Sequence, residues 1–234
     1  MPLVSLAPPL LHRARSTPAL PLLAGLDLPR GSVVELTAPA GLARTTQLAL
    51  TACAEAQRRS RAVSHDGDAR WCGFIDATSS LYAPAVVEAG VALERMLVVR
   101  PDVEDVAKVA VRMAASRLFA VLVVDRVGVP GASPSSSRAR AAASSRSSAV
   151  TRWDIAVRKL ALACESSDTT VLLLSDEHTA TYEALPVAMR IELTRPATDR
   201  VRLQVVKDRR GLEGGARLVS LTARGRVPSP SLSA

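Results

Sequence analysis

The chain reads as an α/β domain, a mainly parallel central sheet with helices on both faces and antiparallel strands at its C-terminal edge. Three observations predict this. Short apolar runs alternate with helix-length amphipathic segments from Val33 to Leu174. One run, Ala120 to Asp125 (AVLVVD), is apolar throughout until it closes on a carboxylate, as a strand covered on both faces would. From Arg190 onward a period of two takes over, through Ile191 and Leu193, then Val201, Leu203 and Val205, then Leu218 and Leu221.

The elements follow in order. Residues 1–30 carry Pro2, Pro8, Pro9, Pro18, Pro21 and Pro29, a spacing that excludes a long helix, so an extended proline-rich arm is expected. The core is expected over 31–226, with a Ser/Arg-rich loop at 127–151, and a flexible tail over 227–234. Val33 to Leu36 is a β-branched strand. Thr45 to Ser60 is a helix with Leu48, Leu50, Ala52 and Ala56 inside, and with Arg58 and Arg59 at the C-terminal end, where the helix dipole favours cations. Ser64 to Arg70 is a polar turn.

Trp71 to Asp76 is the next strand and Tyr82 to Ala89 a short helix. Met96 to Val99 is a strand that Pro101 stops, after which Asp102 is expected to cap a helix bearing Val103, Val106, Ala107, Ala110 and Met113. After the apolar run ending at Asp125, residues 127–150 hold eight serines and no acidic residue. Arg152 to Ser166 is an amphipathic helix and Thr170 to Leu174 an apolar strand.

Composition narrows the function classes. Hydrophobic residues make up 48% of the 234 positions, enough for one well-cored domain, yet aromatics are only 3%, so Ala, Val and Leu must build the core. Thirty basic residues against 22 acidic ones give +8, and the only lysines are Lys108, Lys159 and Lys207. Arginine suits phosphate recognition, although a GC-rich genome produces the same bias. Cys53, Cys72 and Cys164 lie far apart without a CxxC pair, which argues against a zinc site or disulfide framework and for a reducing, cytoplasmic setting. No apolar run approaches the roughly 18 residues of a membrane span. His12, His65 and His178 are scattered, and none is read as catalytic.

The turn after the first core strand carries the chemistry. A phosphate loop of pattern G-x-x-x-x-G-K-[ST] cradles phosphates with backbone N–H groups, reaches them with lysine and holds Mg²⁺ with a hydroxyl. Ala38-Pro39-Ala40-Gly41-Leu42-Ala43-Arg44-Thr45 stands in that position, with Ala38, Ala43 and Arg44 where glycine, glycine and lysine belong. Alanine does not take positive φ freely, and the planar guanidinium does not replace a compact ammonium. Pro39, Gly41, Arg44, Thr45 and Thr46 are the nucleotide-binding candidates. Thr45 and Asp125 are the candidates for Mg²⁺ should a nucleotide bind. The alternative is a helix-opening turn with no ligand.

The segments GSVVELTAPAGLARTTQLAL, FIDATSSLYAP, LVVRPD, LFAVLVVDRV and VRLQVVKDRRG, in this order, resemble the core of the RecA recombinases over roughly residues 25–210. The short length, degraded loop and arginine-rich VKDRRGLEGG stretch make the chain look more like ImuA. That RecA-like family acts beside the polymerase-like ImuB in error-prone translesion synthesis. The resemblance implies ATP and Mg²⁺ as cofactors, no structural metal, and a nucleoid-associated cytoplasmic protein. Its implied partners are DNA, an ImuB-like protein and an error-prone replicative-type polymerase, with a homo-oligomer open.

The same resemblance locates departures. Where RecA has a glutamate that orients the attacking water, Asp76-Ala77 is followed by Thr78, leaving Asp76 as a weak catalytic candidate or a strand cap. Lys207 and Arg209 match basic residues that reach a neighbouring subunit's nucleotide; the plain alternative is a solvated edge strand. Ser175-Asp176 replaces a nucleotide-sensing amide, and a second DNA loop is missing after Leu174, which argues against a filament that stretches DNA.

Charge is segregated. Arg126, Arg138, Arg140, Arg146 and Arg152 give the Ser/Arg segment +5, and residues 195–226 carry nine basic residues against Asp199, Asp208 and Glu213. The remainder of the chain is therefore slightly acidic, as expected when one surface meets phosphates. Arg138, Arg140, Arg146, Arg152 and Arg210 are the DNA-binding candidates, though a Ser/Arg linker that is merely solvated has the same composition.

Three functions stay open: an adaptor in DNA damage tolerance, a slow DNA-stimulated ATPase of the same pathway, and a SulA-like inhibitor of cell division. Replacing Arg138, Arg140 and Arg146 together by alanine is expected to weaken oligonucleotide binding and to lower the salt slope by roughly three. Fluorescence anisotropy over a salt series measures this, and an unchanged slope would remove the segment from the DNA surface.

Overall fold

The computed structural model describes residues 19–21, 26–39, 42, 44–63, 70–127, 129, 153–177, 185–197, 200–211 and 215–220. Its strands are β1 (Ala19–Pro21), β2 (Asp27–Pro29), β3 (Val33–Ala38), β4 (Trp71–Ile75), β5 (Met96–Val99), β6 (Phe119–Asp125), β7 (Thr170–Asp176), β8 (Met189–Ala197), β9 (Arg200–Asp208) and β10 (Arg217–Ser220). The α-helices are α1 (Arg44–Val63), α2 (Ala83–Glu88), α3 (Val106–Ala115) and α4 (Trp153–Ser167). An eight-stranded sheet has the order β10-β9-β8-β3-β7-β6-β4-β5. From β8 to β5 every neighbour is parallel, and β9 and β10 add on antiparallel.

This is the expected fold class, and burial explains why. β3 and β6 are buried at every position because helices cover the sheet on two faces. On one face α1 lays Leu48, Ala49, Ala52 and Cys53 against Val34, Leu36, Phe74, Val121 and Leu172. On the other, α3 and α4 lay Ala110, Ala114, Val157, Leu160 and Cys164 against Val33, Ile75, Leu122, Val124 and Leu173. Each such Leu or Val contributes about 1.5–3 kcal/mol when fully buried. With so few aromatics, the number of small contacts has to replace large rings.

Several local details differ from the pattern reading. Within the proline-rich arm, β1 and β2 pair antiparallel and bury Leu20, Leu26 and Leu28 in the α1-side core. Helix α1 continues past Ser60 to Val63, and Arg58 and Arg59 do not serve its terminus. They bind Glu55, one and the other side of a turn away, at 2.6 and 2.9 Å. Asp102 does not cap a helix: a 3₁₀ turn over Val103–Asp105 intervenes, α3 starts at Val106, and neither Asp102 nor Asp105 makes a side-chain cap hydrogen bond. No helix is long and apolar enough to cross a membrane among the described residues.

The parallel register places the carbonyl ends of four strands along one line. Ala38 pairs with Asp176, Leu174 with Asp125, and Val124 with Ile75. Whatever follows those ends is brought together. Packing beneath is tight at Gly73 of β4, where an added Cβ would lie 2.8 Å from Leu122 Cδ1 and 3.0 Å from Met113 Cε. Gly73→Val is expected to lower stability by about 1–3 kcal/mol through overpacking, read from the midpoint of urea unfolding.

Candidate functional site

The line of strand ends opens onto a cavity of about 360 Å³. Ala38 and Pro39 line it from the end of β3, Thr45, Thr46 and Leu50 from the start of α1, and Asp125 and Val127 from the end of β6. Ser175 and Asp176 close it from β7, while Thr78, Ser80, Leu81, Tyr82 and Ala85 form the wall after β4. Thr45 and Asp125, 80 positions apart in the chain, therefore face one crevice. The turn into α1 is tightened by the Leu42 N–H donating to the Pro39 carbonyl at 3.1 Å. Gly41 of the nucleotide-binding candidates lies outside the described residues.

Arg44, the replacement for lysine, does not line the cavity. As first residue of α1 it donates from Nη1 to Gln47 Oε1 at 2.6 Å, folding its charge back on the helix. Among the described lining residues the charged ones are Asp125 and Asp176, so the crevice is acidic and hydroxyl-rich. Thr45, Thr46, Thr78 and Ser80 supply hydroxyls.

Asp125 is 5% exposed, with Oδ1 accepting from the Val127 N–H at 2.9 Å and Oδ2 from Ser80 Oγ at 3.2 Å. Burial pushes its pKa up; the nearby Asp76 carboxylate adds to this, and the two hydrogen bonds oppose it. Asp76 does not line the cavity. Fully buried, it accepts from the Ser80 N–H at 2.8 Å and the Leu81 N–H at 3.2 Å, and Arg100 Nε lies 3.4 Å from Oδ2. Its geometry is that of a strand-end anchor that shapes the crevice wall. Ser80 also contacts Asp76 Oδ1 at 3.3 Å, so one hydroxyl stands between two carboxylates. Pattern reading passed over Ser80, since nothing in FIDATSSLYAP distinguishes it from Ser79.

Lys207 and Arg209 lie elsewhere. Asp208 is in register with Met189, and Met189 with Val34, so they sit at the end of the sheet where β3 begins. Lys207 Nζ donates to the Leu185 carbonyl and Arg209 Nη2 to the Pro186 carbonyl, at 2.9 and 2.8 Å. Desolvation, then Arg190 and Arg209, lower the Lys207 pKa. They do not join Thr45 and Asp125 within one chain.

Of the DNA-binding candidates, Arg138, Arg140, Arg146 and Arg152 lie outside the described residues. Arg210 is exposed in the turn after β9, where Nε and Nη2 clamp the Asp208 carboxylate at 3.1 and 2.9 Å. Arg126 corrects the charge reading: its side chain is fully buried and adds nothing to the exposed charge of the Ser/Arg segment. On β9, by contrast, Val201 and Leu203 turn into the core while Arg200, Arg202 and Gln204 are exposed between them.

With that geometry in place, comparison with known proteins is decisive at family level. A family model described as the RecA N-terminal domain matches residues 17–178. The chain belongs to the RecA N-terminal domain family. Among curated relatives, the RecA of Thermus thermophilus is 37% identical over 118 residues, 49% of this chain and 32% of the relative. The RecA of Acidiphilium cryptum is 37% identical over 101 residues, 43% of this chain and 26% of the relative. That of Blastochloris viridis is 38% identical over 101 residues, again 43% and 26%. The matched part thus spans about a quarter to a third of these relatives.

The donor set fits a hydrated magnesium ion. Thr45 and Asp125 offer two hard oxygens, and Mg²⁺ is commonly held by one or two protein groups, with water and substrate phosphate completing its shell. No cluster of three or more metal-ligating side chains exists among the described residues.

Without a cation, Asp125 costs stability. Because folding raises its pKa, the folded chain holds a proton in a pH window where the unfolded chain has released it, and stability falls as pH rises through that window. Asp125→Asn, which keeps the acceptor for Val127, is expected to raise the melting temperature at pH 7 by a few degrees, roughly 2–4 °C per kcal/mol. The gain should vanish below about pH 4, where the carboxyl is protonated in folded and unfolded chains alike. A gain that does not depend on pH would point to packing instead.

Proposed function

We propose that this RecA-family protein is a DNA-binding accessory factor of damage tolerance, an ImuA-type adaptor in error-prone translesion synthesis whose nucleotide site retains binding groups and lacks catalytic ones. The observation that carries this reading is the composition of the crevice. Thr45 and Asp125 share it, as Mg²⁺–nucleotide binding requires, yet Thr78 stands on its wall where a water-orienting acid would be needed. No lysine or arginine is among its described lining residues, so among these nothing but a bound metal ion would offset phosphate charge. Such a site suits weak, Mg²⁺-dependent ATP binding and slow chemistry.

DNA contact is supported by the exposed Arg200 and Arg202, which share one face of β9 near the edge of the sheet. Arginines projecting from one sheet edge neutralise phosphates without reading bases, so affinity should depend strongly on salt. This pair of exposed arginines favours the DNA reading over a cell-division inhibitor, which needs no nucleic acid. The ImuB-like and polymerase partners rest on the resemblance in the degraded loop and the VKDRRGLEGG stretch.

Calorimetry with ATP and Mg²⁺, paired with phosphate release with and without single-stranded DNA, tests the reading on native and Asp125→Ala protein. Expected are a dissociation constant weaker than about 100 μM, loss of its Mg²⁺ dependence in Asp125→Ala, and phosphate release alike in the two proteins. DNA-stimulated release that disappears in Asp125→Ala would establish the slow ATPase instead. Co-purification with an ImuB-like protein, with and without residues 211–234, tests the adaptor role.

A further inference from the structure

Helix α1 opens on Arg44, and its first turn holds no acidic residue. The N-terminal end of a helix carries partial positive charge, so a cation there is disfavoured and an acid would normally offset it. Here a neutral amide takes that place: Arg44 Nη1 donates to Gln47 Oε1 at 2.6 Å, one turn further along. The helix divides by face. Leu48 and Ala52 turn to the sheet, Thr46 and Leu50 line the crevice, and Arg44 and Gln47 share a third, half-buried side.

That hydrogen bond runs against the natural direction of the side chain. In a helix the Cα–Cβ bonds tilt toward the N-terminus, so a long side chain at the first position, with no turn ahead of it, extends beyond the helix end. For α1 this end adjoins the crevice, because Thr45, next in the chain, lines the cavity, as does Pro39 at the end of β3. The contact to Gln47 bends the guanidinium the other way. It leaves Asp125 and Asp176 as the charged groups among the described lining residues. An arriving phosphate reverses this balance. It meets the positive end of α1 and offers the guanidinium a charged, two-oxygen acceptor in exchange for one amide oxygen.

We propose that Gln47 is a positioning residue that restrains Arg44 outside the crevice, and that an entering phosphate group draws the guanidinium off Gln47 and across the N-terminus of α1. The contact is an autoinhibitory latch. Pairs at this spacing on a helix are weak, so the latch lowers affinity without closing the site. If the guanidinium is released about a third of the time, apparent affinity is weakened about threefold. The proposal rests on the reading of the crevice as a nucleotide site and adds a control on its affinity.

ATP with Mg²⁺ is titrated by calorimetry into the native full chain, Gln47→Leu, Arg44→Ala and the double variant. Leucine matches glutamine in helix propensity, and the backbone carbonyl that accepts from Thr51 Oγ at 3.0 Å is kept, so α1 is preserved. Expected is an affinity gain of about threefold in Gln47→Leu and a loss in Arg44→Ala. In the double variant affinity equals that of Arg44→Ala, because the gain acts only through the guanidinium. A gain is the readout that a merely structural role for Gln47 does not produce. Native binding with equal or weaker affinity in Gln47→Leu overturns the latch and leaves the nucleotide reading intact, as does a gain that survives in the Arg44→Ala background. Binding detected in Gln47→Leu and not in the native chain supports both. Absence of binding in both proteins overturns the nucleotide reading and the latch with it. Should Gln47→Leu fail to unfold cooperatively, Gln47→Ala takes its place and the same outcomes decide.

Discussion

The parallel pairing of β3, β7 and β6, buried from two sides, is the constraint on which everything else rests. Their register carries Ala38, Asp176 and Asp125 to the same end of the sheet, Ala38 opposite Asp176 and Asp125 opposite Leu174. Because side chains alternate faces, a slip of one residue would send Leu36 and Leu174 to the wrong core and turn the carboxylate of Asp125 away from α1. The two cores, one under α1 and one under α3 and α4, therefore act together to specify where the crevice forms.

That crevice illustrates how a scaffold outlasts its chemistry. The features that depend on fold, namely a strand end, a helix start and a carboxylate on the neighbouring strand, are in place around one cavity. The features that depend on single side chains differ: Arg44 is turned onto Gln47, and Thr78 faces the cavity with a hydroxyl. Asp76, the nearest other acid, is engaged by the Ser80 and Leu81 backbone N–H groups. Removing such an anchor would deform the wall of the crevice as well as change its charge.

How much was legible in the sequence follows from the range of the interactions involved. The apolar runs at Val33, Ala120 and Thr170 announce buried parallel strands because burial on two faces leaves no polar position, and the alternation after Arg190 announces a strand with one exposed face. The helix after the degraded loop is equally plain from its spacing. Asp102 misled because an acid after a proline is a good local cap signal, and packing of Val106 onto the sheet moved the helix start by one turn. Arg126 misled for a different reason. Its partners Glu35, Trp153 and Ser175 are 91, 27 and 49 positions away, so a count of arginines along the chain places it with the exposed ones. Ser80, between two carboxylates, was invisible for the same reason.

The strand order has a temporal consequence. β3 is made early, yet its two neighbours are β7, 138 residues further on at the Val33↔Val171 pair, and β8, which begins at Met189. On the ribosome, β4, β5 and β6 can pair among themselves while β3 waits with both edges bare. Closing such distant pairs is slow in proportion to the loop entropy involved. A nascent chain of this architecture thus leaves a strand that the folded molecule buries at every position without its neighbours until late in synthesis, a consequence of topology rather than of any single residue.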